Sequence, residues 1–400
     1  MPVHEKENTE IDARKADPAP TGAGRTDAPG LMVRADSQGL MVRSAGLVRR
    51  GLRDLARDSN WLIKKVFTGR SASVAISDTG MVCAIPSSLQ DAGQRLVLFD
   101  LEMNVSTMAL AVPGESAERG ANEAAVFSWS PGSRYLVAAR RGWRAKALHI
   151  FDLHSKMLLG TFGDFAEFPA QLGWSPNGDY FAAASAGGKN ARLRVWRTSA
   201  GPAAEAMPCS PTPTHEMGLP EGFERQTYEA EFGEEGGFSG YGSLAFSPDG
   251  KFLASVVEIR GDWADDSVVM VEAATLRKIN VFHGQGHITD ISWTPDGRGM
   301  IYCAAGQAYR VDLETLEAES LPFGAEFCAC HPHLPLCLCF SSWLKNSAKG
   351  RLFVVDLNTL EILDEHSAEN VAHLRWNGDG TKAYAATSGG MGYIYESPLI

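Results

Sequence analysis

An all-β, seven-bladed β-propeller is predicted, on three observations. A turn pattern recurs seven times from residue 71 onward, each turn is followed by a β-rich segment with an acidic end, and the last unit lacks an outer strand that a segment near the start of the chain can supply. The turns read AISDTGMVCAI (75–85), SWSPGSRYLVA (128–138), GWSPNGDYFAA (173–183), AFSPDGKFLAS (245–255), SWTPDGRGMIY (292–302), ACHPHLPLCLC (329–339) and RWNGDGTKAYA (375–385). Pro, Asp, Asn and Gly set turn dihedrals, so each reads as two antiparallel strands joined tightly.

The acidic endings are Asp100, Asp152, Glu272, Asp312, Asp356 and Glu396, with Arg197 in that place in the third unit. A fourth strand often follows, as in KMLLGTF (156–162) and LRKINVF (276–282). Four strands per unit at this spacing is the requirement of a propeller blade. The third unit is stretched by an insertion at about 199–240, with Glu229–Phe232 a candidate for its outer strand. The final unit ends after three strands. Residues 61–77, WLIKKVFTGRSASVAIS, parallel 276–292, LRKINVFHGQGHITDIS, so Leu62–Thr68 is expected to close the last blade and cover its edge.

From residue 61 to 400 the chain resembles the WD40-repeat family. The resemblance rests on the Ser-Pro-Asp-Gly turns and the acidic third-strand endings, with Trp196 in the family's Trp position, followed here by Arg197 instead of Asp, and the Gly286-His287 dipeptide. It implies a protein-interaction scaffold or adaptor, non-enzymatic and without a cofactor, sitting as a monomeric propeller within a complex.

Upstream, residues 1–38 are rich in Pro, Ala, Gly, Asp and Thr and read as a disordered tail. Residues 39–60 read as a basic amphipathic helix and linker. Leu40, Met41, Leu47, Val48, Leu52 and Leu55 share one arc, opposite Arg43, Arg49, Arg50, Arg53 and Arg57. Its expected surface is the acidic body, a protein partner or an anionic membrane.

The formal net charge of −11 is uneven. Residues 1–70 carry 13 Lys+Arg against 9 Asp+Glu, and the remainder carries 24 against 39. An acidic body argues against a broad nucleic-acid face, which needs clustered cations. No run is long and apolar enough to be a membrane-spanning helix, and seven Cys without a disulfide-like framework fit a reducing compartment, cytoplasmic or nuclear.

Among the nine Trp, Trp129, Trp174, Trp293 and Trp376 hold the place just before the turn and read as packing between blades. Trp143, Trp263 and Trp343 fall instead in polar connections between the second and third strands of units two, four and six. They are the candidate partner-binding residues, with Arg140, Arg141 and Arg144 beside the first and Asp262 beside the second, since Trp and Arg dominate interface hot spots.

Cys328, Cys330, Cys337 and Cys339 are placed by the hairpin so that Cys328 faces Cys339 and Cys330 faces Cys337. Small buried apolar packing is the expectation, and no metal site is assigned. No nucleophile elbow, phosphate loop or HExxH helix occurs, so no catalytic residue is assigned. The alternatives to the scaffold are a channel-site enzyme and a lipid-binding propeller using residues 40–57.

Overall fold

The computed structural model describes residues 62–67, 75–77, 81–84, 95–100, 105–111, 125–140, 147–162, 165, 169–185, 191–198, 215–217, 237–260, 265–342, 350–387 and 391–396. All belong to the compact unit Arg50–Ile400.

The described residues form a β-propeller. Six complete blades, here A to F, are four-stranded antiparallel sheets. Blade A comprises Ala125–Trp129, Tyr135–Arg140, Leu148–Asp152 and Met157–Phe162. Blade B comprises Pro169–Trp174, Tyr180–Ser185, Leu193–Arg197 and His215–Met217, and blade C comprises Gly237–Phe246, Phe252–Arg260, Ser267–Glu272 and Lys278–His283. Blade D comprises Ile288–Trp293, Gly299–Ala304, Gln307–Asp312 and Ala318–Ser320. Blade E comprises Phe327–Cys330, Leu336–Ser341, Gly350–Asp356 and Ile362–Ala368. Blade F takes Val371–Trp376, Lys382–Thr387 and Met391–Glu396 from the end of the chain and Leu62–Phe67 from its beginning, Leu62 opposite Glu396 and Phe67 opposite Met391.

The expectation of a seven-bladed propeller is corrected: the described residues form six four-stranded blades. The first unit forms a three-stranded sheet, Met81–Ala84, Arg95–Asp100 and Val105–Ala111, and Ile76 before it makes only an isolated bridge. The run SASVAIS carries Val74 and Ile76 as its large apolar side chains and no aromatic before the turn, little apolar surface to hold a fourth ladder in place. Ile76 packs instead against Tyr384, Ala386 and Ile394 of blade F. The helix expected over residues 40–57 lies outside the described residues, among which no α-helix occurs. The outer strand of blade B is His215–Met217, paired with Leu193–Val195, so Glu229–Phe232 does not take that place. His215-Glu216-Met217 follows SPTPT, where the prolines end and a main-chain donor becomes available at every residue.

The repeated turn explains itself atom by atom. In blade C the Ser247 hydroxyl accepts from the Phe252 amide at 2.9 Å and donates to Asp249 Oδ1 at 2.7 Å, which in turn accepts from the Lys251 amide at 3.0 Å. Thr294 and Asp296 repeat this in blade D, and Ser175 and Asn177 in blade B. Gly250 follows with φ +71°, a left-handed conformation open to glycine. The acidic third-strand endings cap the next turn: Asp312 Oδ1 accepts from the Glu314 and Thr315 amides at 2.8 and 3.0 Å, and Asp152 and Asp356 accept from the amides two residues on.

Tryptophan ties the blades. The Trp129 indole N–H donates to Ala75 O at 3.0 Å, Trp293 to Ala245 O at 2.9 Å, and Trp376 to Ala329 O at 2.9 Å. Each acceptor is the residue just before the Trp position of the preceding unit, and each is alanine, which lets the indole approach. Trp174 is the exception, its Nε1 buried without an acceptor among the described residues.

Candidate functional site

The three candidate tryptophans, Trp143, Trp263 and Trp343, lie outside the described residues, as do Arg141, Arg144 and Asp262. Arg140 is the last residue of the second strand of blade A, opposite Ala125. The strands that bound the three connections are in place: Arg140 to Leu148 in blade A, Arg260 to Ser267 in blade C, and Ser341 to Gly350 in blade E. In an antiparallel meander all three connections leave from the same end of the strands, opposite the end that carries the repeated turns.

The cysteine hairpin has the expected register, Cys328 opposite Cys339 and Cys330 opposite Cys337. Cys303 of blade D joins them, and the thiols pack with Ile301, Phe323, Phe353 and Val355 at the D–E junction. Burial pushes the Cys303 thiol well up, and the bond to Cys337 together with burial does the same for Cys330. These are protonated packing groups, not thiolates. Among the described residues no trio of His, Cys, Asp or Glu is arranged to hold a metal ion.

His331 stands where other turns carry Ser, Thr or, in blade F, Asn377. It is fully buried, with Nδ1 accepting from the His333 and Leu334 amides at 3.0 Å each and Nε2 donating to Gly380 O of blade F at 3.0 Å. Its ring lies 4.8 Å from that of Trp376. Burial, with the neighbouring His333, lowers its pKa to about 4, so it is a neutral spacer between turns.

One ionic group on the innermost strands was not singled out from the sequence. Asp290 of blade D is buried and gathers four donors. Ser243 Oγ of blade C at 3.1 Å and its neighbour's amide, Ile291, at 3.0 Å reach Oδ1, while the Cys328 amide of blade E at 3.3 Å and Arg375 Nη1 of blade F at 3.3 Å reach Oδ2. Arg375 spans the width of blade E to do so, and the Asp290 carboxylate pushes its pKa up. A signal was present. The place before the turn Trp holds Ser128, Gly173, Ala245, Ser292 and Ala329 in the other complete blades, and a long cation in a row of small residues marks a special role. The pair links four successive blades, C to F, and spends both charges on each other.

No protein-family model and no curated protein matches the chain. Solved structures do. A chain of Kuenenia stuttgartiensis hydrazine synthase superposes with a TM-score of 0.59 and 14% identity, over 84% of this chain and 97% of that one. The β-propeller domain of Cps50 (Swd1) from Myceliophteria thermophila gives 0.56 and 14%, over 84% of this chain and all of that one. At such identities the likeness is one of fold.

Proposed function

We propose that this chain is a WD40-like propeller acting as a non-enzymatic protein-interaction scaffold in the cytoplasm or nucleus. The observation that carries the reading is how the blades are tied. Indole-to-carbonyl bonds, the Asp290–Arg375 pair and the His331–Gly380 bond each run from one blade to another, so the polar groups of the inner strands stiffen the ring. A stiff ring presents its connecting loops as a preorganised surface, which lowers the ordering cost of binding. The connections with Trp143, Trp263 and Trp343 join the same pair of strands in alternate blades and leave from one end. The Gly286-His287 dipeptide is likewise held, His287 Nδ1 lying 2.7 Å from the buried Asp266 carboxylate.

The test is affinity capture with mass spectrometry, comparing wild type, a triple Trp143→Ala, Trp263→Ala, Trp343→Ala variant and a chain without residues 1–57, each verified as folded by circular dichroism. A partner captured by wild type and lost from the triple variant supports the reading. A partner lost only on truncation moves recognition to the upstream segment, and capture of nothing specific by wild type removes the scaffold reading.

A further inference from the structure

The third strand of every unit places one residue, two before its terminal acid or, in blade B, before Arg197, against the next unit. Six of the seven are apolar and buried: Leu98, Ile150, Val195, Met270, Val354 and Ile394. Blade D has Arg310 there, opposite Ile301 in the ladder. Its guanidinium donates one bond from Nη1 to Leu357 O of blade E at 3.3 Å and feels the charge of Asp312 two residues on. A cation replacing an interblade apolar side chain loses packing and hydration together, and a main-chain bond offsets little of that.

Beside it lies a cavity of about 300 Å³ between blades D and E, lined by Arg310, His333, Asp296, Asn358, Pro335 and Leu357 among others. That is the small end of the ~300–1,000 Å³ range of ligand pockets. A second departure from the repeat falls in the same place. His333 holds the position of Asn177, Asp249, Asp296 and Asp379 in other turns, so an acid that would face the cavity is missing. Its ring is pinned by a bond from Nε2 to Gly378 O at 3.1 Å.

We propose that this groove is a binding site for a carboxylate on a short aliphatic stem, with Arg310 as its anchor. The planar guanidinium fork matches a carboxylate in a two-point contact, and Pro335 and Leu357 offer the stem an apolar wall. Asp296 lines the groove, with Oδ1 engaged by Thr294 and Arg298, and Asp312 attracts Arg310, so the two carboxylates repel a dianion such as phosphate more than a single carboxylate. The carboxylate is either an acidic side chain of a protein segment or a free small acid. The site opens on the face of the repeated turns, away from the Trp143, Trp263 and Trp343 connections, and is independent of the scaffold reading.

Saturation-transfer NMR on the full chain tests it with butyrate, an acetyl-Ala-Glu-Ala-amide peptide, its Gln counterpart and inorganic phosphate. Wild type is expected to bind butyrate, the Glu peptide or both, and neither the Gln peptide nor phosphate. Arg310→Met places in blade D the residue type that Met270 supplies in blade C, so the fold is retained while affinity falls about tenfold or more. His333→Asp restores the acid on an exposed side chain and weakens binding in the same direction. Preference for the Glu peptide over butyrate assigns the site to a protein segment, and the reverse assigns it to a free acid. Failure of wild type to bind either carboxylate, phosphate binding as tightly, or unchanged binding in both variants overturns the proposal.

Discussion

Replacing Arg375 by Met removes the cation that reaches Asp290 from two blades away. At about 3.3 Å and an effective dielectric near 20 the gross attraction is about 5 kcal/mol. Part of this is offset, because the Arg375 side chain is 39% exposed and is stabilised by water when unpaired. Asp290 has no such relief: its side chain is 3% exposed and keeps only Ser243, Ile291 and Cys328 as donors. Removing one partner of a buried pair costs about 3–5 kcal/mol, and discounting for the exposed end leaves about 2–3 kcal/mol. Urea unfolding, followed by tryptophan fluorescence and far-UV circular dichroism with coincident transitions, measures it. A double-mutant cycle with Asp290→Asn should give a coupling of about 2 kcal/mol. A coupling below about 0.5 kcal/mol refutes the argument.

Three further outcomes are expected. Trp376→Phe loses a buried indole bond to Ala329 O and costs at least about 1 kcal/mol more than Trp174→Phe, whose N–H has no acceptor to lose; equal costs in denaturant unfolding contradict this. Leu316 has φ +63° at a turn position and is 48% exposed, so Leu316→Asn stabilises by about 0.5–1 kcal/mol in the same assay, whereas Leu276→Asn destabilises because Leu276 is buried in the core. The folded pKa of His331, about 4, lies below its unfolded value of about 6.5, so the unfolded state takes up the proton first and stability is lost as pH falls from about 6.5 toward 4, by up to about 3 kcal/mol. His331→Ser, the residue of other turns, should flatten that part of the stability–pH curve.

Features that depend on neighbours in sequence were legible from residues alone. The Ser247–Asp249 turn, the Asp312 cap and the Cys328–Cys339 register are settled within one hairpin, where spacing determines geometry. The closing strand was legible too, because Leu62–Phe67 repeats a pattern found in an intact blade. Less legible was how much of each unit would form. SASVAIS matches the repeat in spacing but offers little to bury, and His215–Met217 was hidden in an insertion without pattern. The Arg375–Asp290 contact joins residues whose proximity exists only once the ring is closed, and the candidate tryptophans fall in connections beyond the described strands. Arg310 was visible as one cation in a column of apolar residues, a comparison among units that the reading of motifs one at a time did not make.

The pairing of Leu62 with Glu396 also sets an order of events during synthesis. A ribosome releases Leu62–Phe67 long before its partner Met391–Glu396. Leu62–Phe67 must therefore remain without its ladder while the intervening blades are made. A nascent propeller of this kind is an open arc whose first and last edges can pair with strands of another chain. Moving the chain ends into the connection between blades E and F, with Glu396 joined to Leu62 by a short linker in place of residues 397–400 and 1–61, would let the closing sheet form as a local hairpin. Such a permutant should refold faster in dilute solution and aggregate less at high concentration, with an unchanged native structure.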